Sequence, residues 1–124
     1  MAVDVYAFGN RSGPRQPRIE GFNVAPGRKG DLAVGANGML VPTDEPQGMS
    51  TFGDPNQENL TGHYHKLPAG THLPQGLGIE ADGIDVENGA FPPTHHTIYP
   101  TEEMAPDRFI RLLQSLPWEY GGKK

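Results

Sequence analysis

The sequence predicts an α+β fold in which short antiparallel strands joined by tight turns are closed by one carboxy-terminal helix. Three observations predict it. Gly and Pro occupy 17 and 13 of the 124 positions, close to a quarter of the chain, and they fall between β-prone runs instead of in tracts. Hydrophobic residues at 35%, with no internal repeat, suffice for a small core, so a single domain over residues 1–124 is expected. Only the segment from Met104 to Leu116 carries apolar residues at helical spacing.

Each element follows from local residue types. Val3, Val5 and Tyr6 to Phe8 form a brief β-prone run that Gly9 and Asn10 end. Arg11 to Arg18 holds three arginines among Gly13, Pro14 and Pro17, which forbids a helix and predicts an ordered basic loop. Gly35 and Gly38 frame a tight turn into Met39-Leu40-Val41, a short apolar strand that Pro42 stops. Met49 to Phe52 is β-prone and ends at Gly53-Asp54-Pro55. His63 to Leu67 alternates like a strand, and Leu77 to Gly83 reads as a strand running into a turn. Thr94 to Tyr99 is the most β-prone stretch. In the helix, Met104, Phe109, Ile110, Leu112, Leu113 and Leu116 share one face, and Pro106 with Asp107 suits the first turn. Trp118 and Tyr120 are expected to fold back onto the body, and residues 121–124 to fray.

Composition removes several classes of function. The chain has no Cys, which rules out a disulfide framework, thiolate zinc sites and Cys nucleophiles. A formal charge of -5 argues against non-specific binding to nucleic acid through its phosphates. No apolar run is long enough to span a bilayer, so no membrane partner is expected, and the amino terminus carries Asp4 where a secretion signal would be basic. A cytoplasmic protein is the expectation.

The residues able to do chemistry form small groups. His63 and His65 share a strand face, whereas the adjacent His95 and His96 point to opposite faces. A zinc site would need His63, His65 and one of that pair, but His-x-His alone is a weak signal, and half-exposed strand histidines bonded to backbone are the plainer reading. No metal is expected. Ser50-Thr51-Phe52 turns one hydroxyl outward and one into the sheet, with a ring beside them, as many edge strands do. Arg11, Arg15 and Arg18 can hold a diphosphate or simply stay solvated. Glu102-Glu103 fits the positive end of the helix dipole. Nucleophile-elbow, phosphate-loop and dinucleotide glycine motifs are all absent from the sequence.

The order Gly38-Met39-Leu40-Val41-Pro42, Gly48-Met49-Ser50-Thr51-Phe52, Leu67-Pro68-Ala69-Gly70-Thr71-His72-Leu73-Pro74-Gln75-Gly76-Leu77, Asp82-Gly83, Thr94-His95-His96-Thr97-Ile98-Tyr99-Pro100 and Met104 resembles a known family. It is similar to the small toxins typified by the second exported effector of type VI secretion, and to related domains at the ends of polymorphic toxins. The match covers residues 31–116. It implies a compact ADP-ribosyltransferase-like fold, with two small antiparallel sheets packed face to face and NAD bound between them as substrate. It also implies a cognate immunity protein or antitoxin, and an acceptor that is a protein or a nucleic acid.

Carried over residue by residue, the resemblance places catalysis on Ser50, Thr51 and His95. Phe52 and Tyr64 are candidates to stack on the dinucleotide, and Tyr6, His63 and His96 join them as binding candidates. The family's first strand offers an Arg after a Tyr, but Ala7 follows Tyr6, so Arg11 is the nearest substitute and Arg15 the second. Such enzymes also place a Glu near the nicotinamide ribose. The strand from Thr94 to Tyr99 has no acid, which leaves Glu87 and Glu102 in the flanking loops. Two other readings compete: a metal-independent ribonuclease toxin pairing His63 with His95, aided by Arg or Lys66, and a non-catalytic partner-binding domain on the same fold.

Overall fold

Strand β1 (Val5–Asn10) organises the sheet. The computed structural model describes residues 1–32, 34–54, 56, 61–83 and 94–124. Val5 and Ala7 are buried, while Tyr6 and Phe8 alternate with them on the other face. Asn10 Oδ1 accepts from the N–H groups of Ser12 (2.9 Å) and Gly13 (3.2 Å), and this turn folds β2 (Gly13–Pro14) back onto β1. The basic loop is therefore ordered, as its glycine and prolines predict, but it begins as a hairpin arm.

One edge of β1 is taken along its length by β4 (His63–Leu67), from Val5 opposite Leu67 to Gly9 opposite His63. The other edge is shared. β3 (Met49–Phe52) joins it at a single pair, Tyr6 opposite Phe52, and further along β2 pairs with Gly9 and Asn10. Beyond β3 lies β6 (His95–Pro100), then β5 (Leu77–Glu80), with all pairings antiparallel. The order is β5-β6-β3-β1-β4-β7, with β2 beside β1.

This corrects the expectation of two separate sheets. The described strands are hydrogen-bonded into one sheet whose halves, β5-β6-β3 and β1-β4-β7, meet at the lone Tyr6–Phe52 pair. Strand propensity shows which segments are extended but carries no information on which edges meet.

Face assignment follows from the register, because residues opposite each other in an antiparallel ladder point the same way. Val5, Ala7, His65, Leu67, Met49, Thr51 and Ile98 lie on the buried face. α1 (Pro106–Gln114) adds Phe109 and Leu113 to the same hydrophobic cluster, joined by Leu116 and Met104. Pro106 opens the helix, where its missing N–H costs nothing. The apolar segment at Met39–Val41 is reduced to bridges from Leu40 to Val34 and Met104. Leu40 and Met104 exchange backbone hydrogen bonds of 2.8 and 3.2 Å, which tie that loop to the helix entry.

The tail departs most from expectation. Instead of fraying, Glu119–Lys123 forms β7 on the outer edge of β4. Tyr64 explains why glycines stand there: its ring lies so close to Gly121 that an added Cβ would meet Tyr64 Cε2 at 2.2 Å. Gly121 and Gly122 admit the ring, and a register shift between Tyr64 and His65 accommodates the extra residue.

Candidate active site

The shared edge of β1 creates a cleft. β3 touches β1 only at Phe52 and diverges from it toward Met49, β2 occupies the same edge near Gly9, and the gap between them is a cavity of about 410 Å³. Its walls include Phe8 from β1, Ser50 and Phe52 from β3, Thr61, and Arg15, Gln16 and Arg18 from the loop after β2. Gly48 and Met49 lie beneath. Gly48 is required by close approach, since a Cβ there would meet the Ile98 carbonyl oxygen at 1.9 Å. β3 can lie flat on β6 only with glycine at that point.

Strand alternation decides the fate of the two hydroxyls. Ser50 is exposed and faces the cleft. Thr51 is fully buried, and its hydroxyl donates to the His96 carbonyl at 3.0 Å. Thr51 therefore belongs to the core side of the sheet and is removed from the surface a ligand would touch. Phe52 lines the cleft and begins a run of ring contacts that crosses the joint. His95 meets Phe52 at 5.3 Å between centroids, Phe52 meets Phe8 at 6.4 Å, Phe8 meets Tyr64 at 5.9 Å and Tyr64 meets Tyr6 at 6.1 Å.

The other candidates are dispersed. Arg11 is exposed on the β1–β2 turn and does not line the cleft. Arg15 does, anchored by its backbone N–H to the Phe8 carbonyl at 2.9 Å, and it has no ion pair among the described residues. Arg18 lines the cleft too, but Asp31 engages its Nη2 at 3.1 Å and its backbone N–H at 2.7 Å. The side-chain hydrogen bond to Asp31, followed by the carboxylate's charge, raises the guanidinium pKa above its ordinary value. Arg15 is thus the guanidinium left for an anion.

Tyr6 and Tyr64 lie outside the cleft and line a second hollow with Lys66 and Tyr120. His63 is on the opposite sheet face, its Nδ1 2.7 Å from the Tyr120 hydroxyl. His96 also points to the core face, its Nδ1 2.8 Å from the Thr94 carbonyl. The register sets His95 on the cleft face and His63 on the other, so the histidine pair of the ribonuclease reading does not form. Among the described residues, no three His, Asp or Glu side chains converge as metal ligands.

His95 does not line the cleft. It is only 2% exposed and lies behind Phe52, with Nδ1 2.5 Å from Asp82 Oδ1. Asp82 Oδ2 accepts the Thr97 hydroxyl, also at 2.5 Å. This carboxylate was not among the sequence candidates; Asp82-Gly83 reads locally as an ordinary turn, and only its place in the motif order hinted at more. Of the acids proposed instead, Glu102 pairs with Arg108 at 2.9 Å, and Glu87 lies outside the described residues. Sequence reasoning also missed Phe8, whose outward face follows from alternation in β1 but whose proximity to β3 does not.

A cleft that offers a hydroxyl, two rings and a guanidinium has the chemistry to hold a planar, phosphorylated ligand. The chain belongs to the Tse2 ADP-ribosyltransferase toxin family, whose model matches residues 4–120. No individually curated protein matches it.

Proposed function

We propose that this protein is a toxin that binds NAD in the cleft of Ser50, Phe52, Phe8 and Arg15 and transfers its ADP-ribosyl group to a protein or nucleic-acid acceptor, or to water. The convergence of these four side chains in one cavity carries the reading, and membership of an ADP-ribosyltransferase toxin family supports it. The donor set suits the substrate: Arg15 provides charge for the diphosphate, the rings of Phe8 and Phe52 offer faces and edges to a planar base, and Ser50 provides a hydroxyl for the ribose.

The reaction breaks the bond between nicotinamide and ribose C1′. Nicotinamide departs with the bonding electron pair as a neutral ring, and the acceptor nucleophile adds at C1′ and loses its proton to solvent. Little of this calls for a strong base. The protein's contribution is to hold the dinucleotide, orient the ribose and meet the positive charge that develops there. Ser50 presents oxygen lone pairs to that charge. Among the described residues no carboxylate lines the cleft apart from Asp31, which Arg18 engages.

The reading extends to a cytosolic site of action and a cognate immunity protein that neutralises it. Incubation with NAD labelled in the adenosine moiety, with and without bacterial lysate, tests the chemistry. Label moving to a macromolecule identifies transfer, and free ADP-ribose identifies hydrolysis. Intact NAD in both mixtures would contradict the reading.

A further inference from the structure

Asp82 follows β5 at the start of a turn, and its carboxylate holds two side chains of β6: Thr97 through Oδ2 and His95 through Oδ1, each at 2.5 Å. The turn is itself fixed to β6, because the Gly83 N–H donates to the His95 carbonyl at 3.1 Å. The β3–β6 register gives these bonds their meaning. Thr97 stands opposite Ser50, and His95 stands opposite Phe52. One carboxylate therefore grips the cross-strand neighbours of Ser50 and Phe52, two of the three β3 residues that line the cleft.

We propose that Asp82 is a positioning residue for the candidate active site, acting on Ser50 through Thr97 and on Phe52 through His95. The proposal rests on the cleft being the site of ADP-ribosyl chemistry, and it supplies a role for an acid that touches no substrate. A threonine hydroxyl has one hydrogen. With that hydrogen given to Asp82, the Thr97 oxygen can only accept toward Ser50, whose Cβ is about 5 Å away in such a pair. The Ser50 rotor is thereby biased to turn its hydrogen toward Thr97 and its lone pairs toward the cleft. On the second branch, the carboxylate accepts a proton carried on His95 Nδ1 and holds the ring edge against Phe52. Thr97 and His95 are 5% and 2% exposed, so water cannot readily replace Asp82 in either bond.

Asp82→Asn and Thr97→Val test this in the intact chain. The asparagine keeps the shape but offers one uncharged acceptor and one donor where the carboxylate offers two charged acceptors, so one of the two bonds must reverse and the other weakens. The valine removes only the hydroxyl branch. The readouts are nicotinamide release from NAD, the side-chain nitrogen resonances of His95, and the melting temperature. In the wild type, Nδ1 of His95 is expected to carry the proton. In Asp82→Asn this signature changes, and nicotinamide release falls about tenfold or more at temperatures where the variant is folded. Thr97→Val lowers release but leaves the His95 signature in place.

Wild-type release by a folded Asp82→Asn protein would overturn the proposal, as would a His95 signature that the substitution does not alter. Failure of the underlying reading looks different: the wild type itself releases no nicotinamide. The His95 resonances still decide the clamp in that case, standing if the substitution shifts them and falling if it does not. Should Asp82→Asn fail to fold, Thr97→Val retaining full release would overturn the hydroxyl branch.

Discussion

Phe52 and His95 face each other across the β3–β6 ladder, and their rings meet edge to face at 77° with centroids 5.3 Å apart. A residue that lines the cleft is thus braced by one that is buried. Substituting the half-buried, cleft-lining partner should affect ligand binding more than folding. Phe52→Leu keeps apolar volume but removes the ring, and about a tenfold rise in KM for NAD is expected, with a melting temperature within a few degrees of wild type. Steady-state nicotinamide release at varied NAD, with a thermal melt, checks both.

Ser50 and Thr51 are neighbours in sequence with opposite surroundings. Ser50→Ala should lower nicotinamide release strongly without loss of stability, because the side chain is exposed. Thr51→Val should do the reverse. It deletes a hydroxyl bonded to the His96 carbonyl and is expected to cost about 1 kcal/mol, read by urea unfolding, while the folded fraction keeps most of its activity.

Arg15 and Arg11 separate in the same way. Arg15→Ala should raise KM for NAD roughly tenfold, as expected for loss of a charged contact to phosphate, and the effect should shrink as salt is added. Arg11→Ala, on the exposed turn, should leave KM within about twofold of wild type, since surface charges contribute little.

How far the sequence disclosed this arrangement depended on range. The strands at Met49–Phe52, His63–Leu67 and Leu77–Glu80 were legible because alternation and terminating Gly or Pro are local signals. That Ser50 and Thr51 face opposite ways follows from the same period of two, but which of them faces the cleft does not. Which arginines line the cleft was not legible, because it depends on the Asn10 turn reversing the chain so that Arg11 is carried out and Arg15 back in. Asp82 was hidden for a related reason: its two partners lie 13 and 15 positions away, and only the β5–β6 pairing brings them to it. Gly121 and Gly122 read as a loose end until Tyr64 supplied the ring that they accommodate.

That last contact makes its own prediction. Gly121→Ala should push β7 off β4, because the new Cβ falls within the Tyr64 ring. A loss of about 1–3 kcal/mol in stability is expected, together with faster amide exchange at Gly62 and Lys124, whose mutual backbone hydrogen bonds are 2.9 Å each. Nicotinamide release by the folded protein should change little.

The proposed function puts the dinucleotide between β2 and β3. The most direct measurement is an NMR titration of the wild-type chain with NAD, following backbone and aromatic resonances. Shifts that saturate together at Phe8, Arg15, Ser50 and Phe52, with Arg11 and His63 unmoved, are the predicted result. Saturable shifts confined to the opposite face around His63 and Tyr120, or none at millimolar NAD, would contradict it.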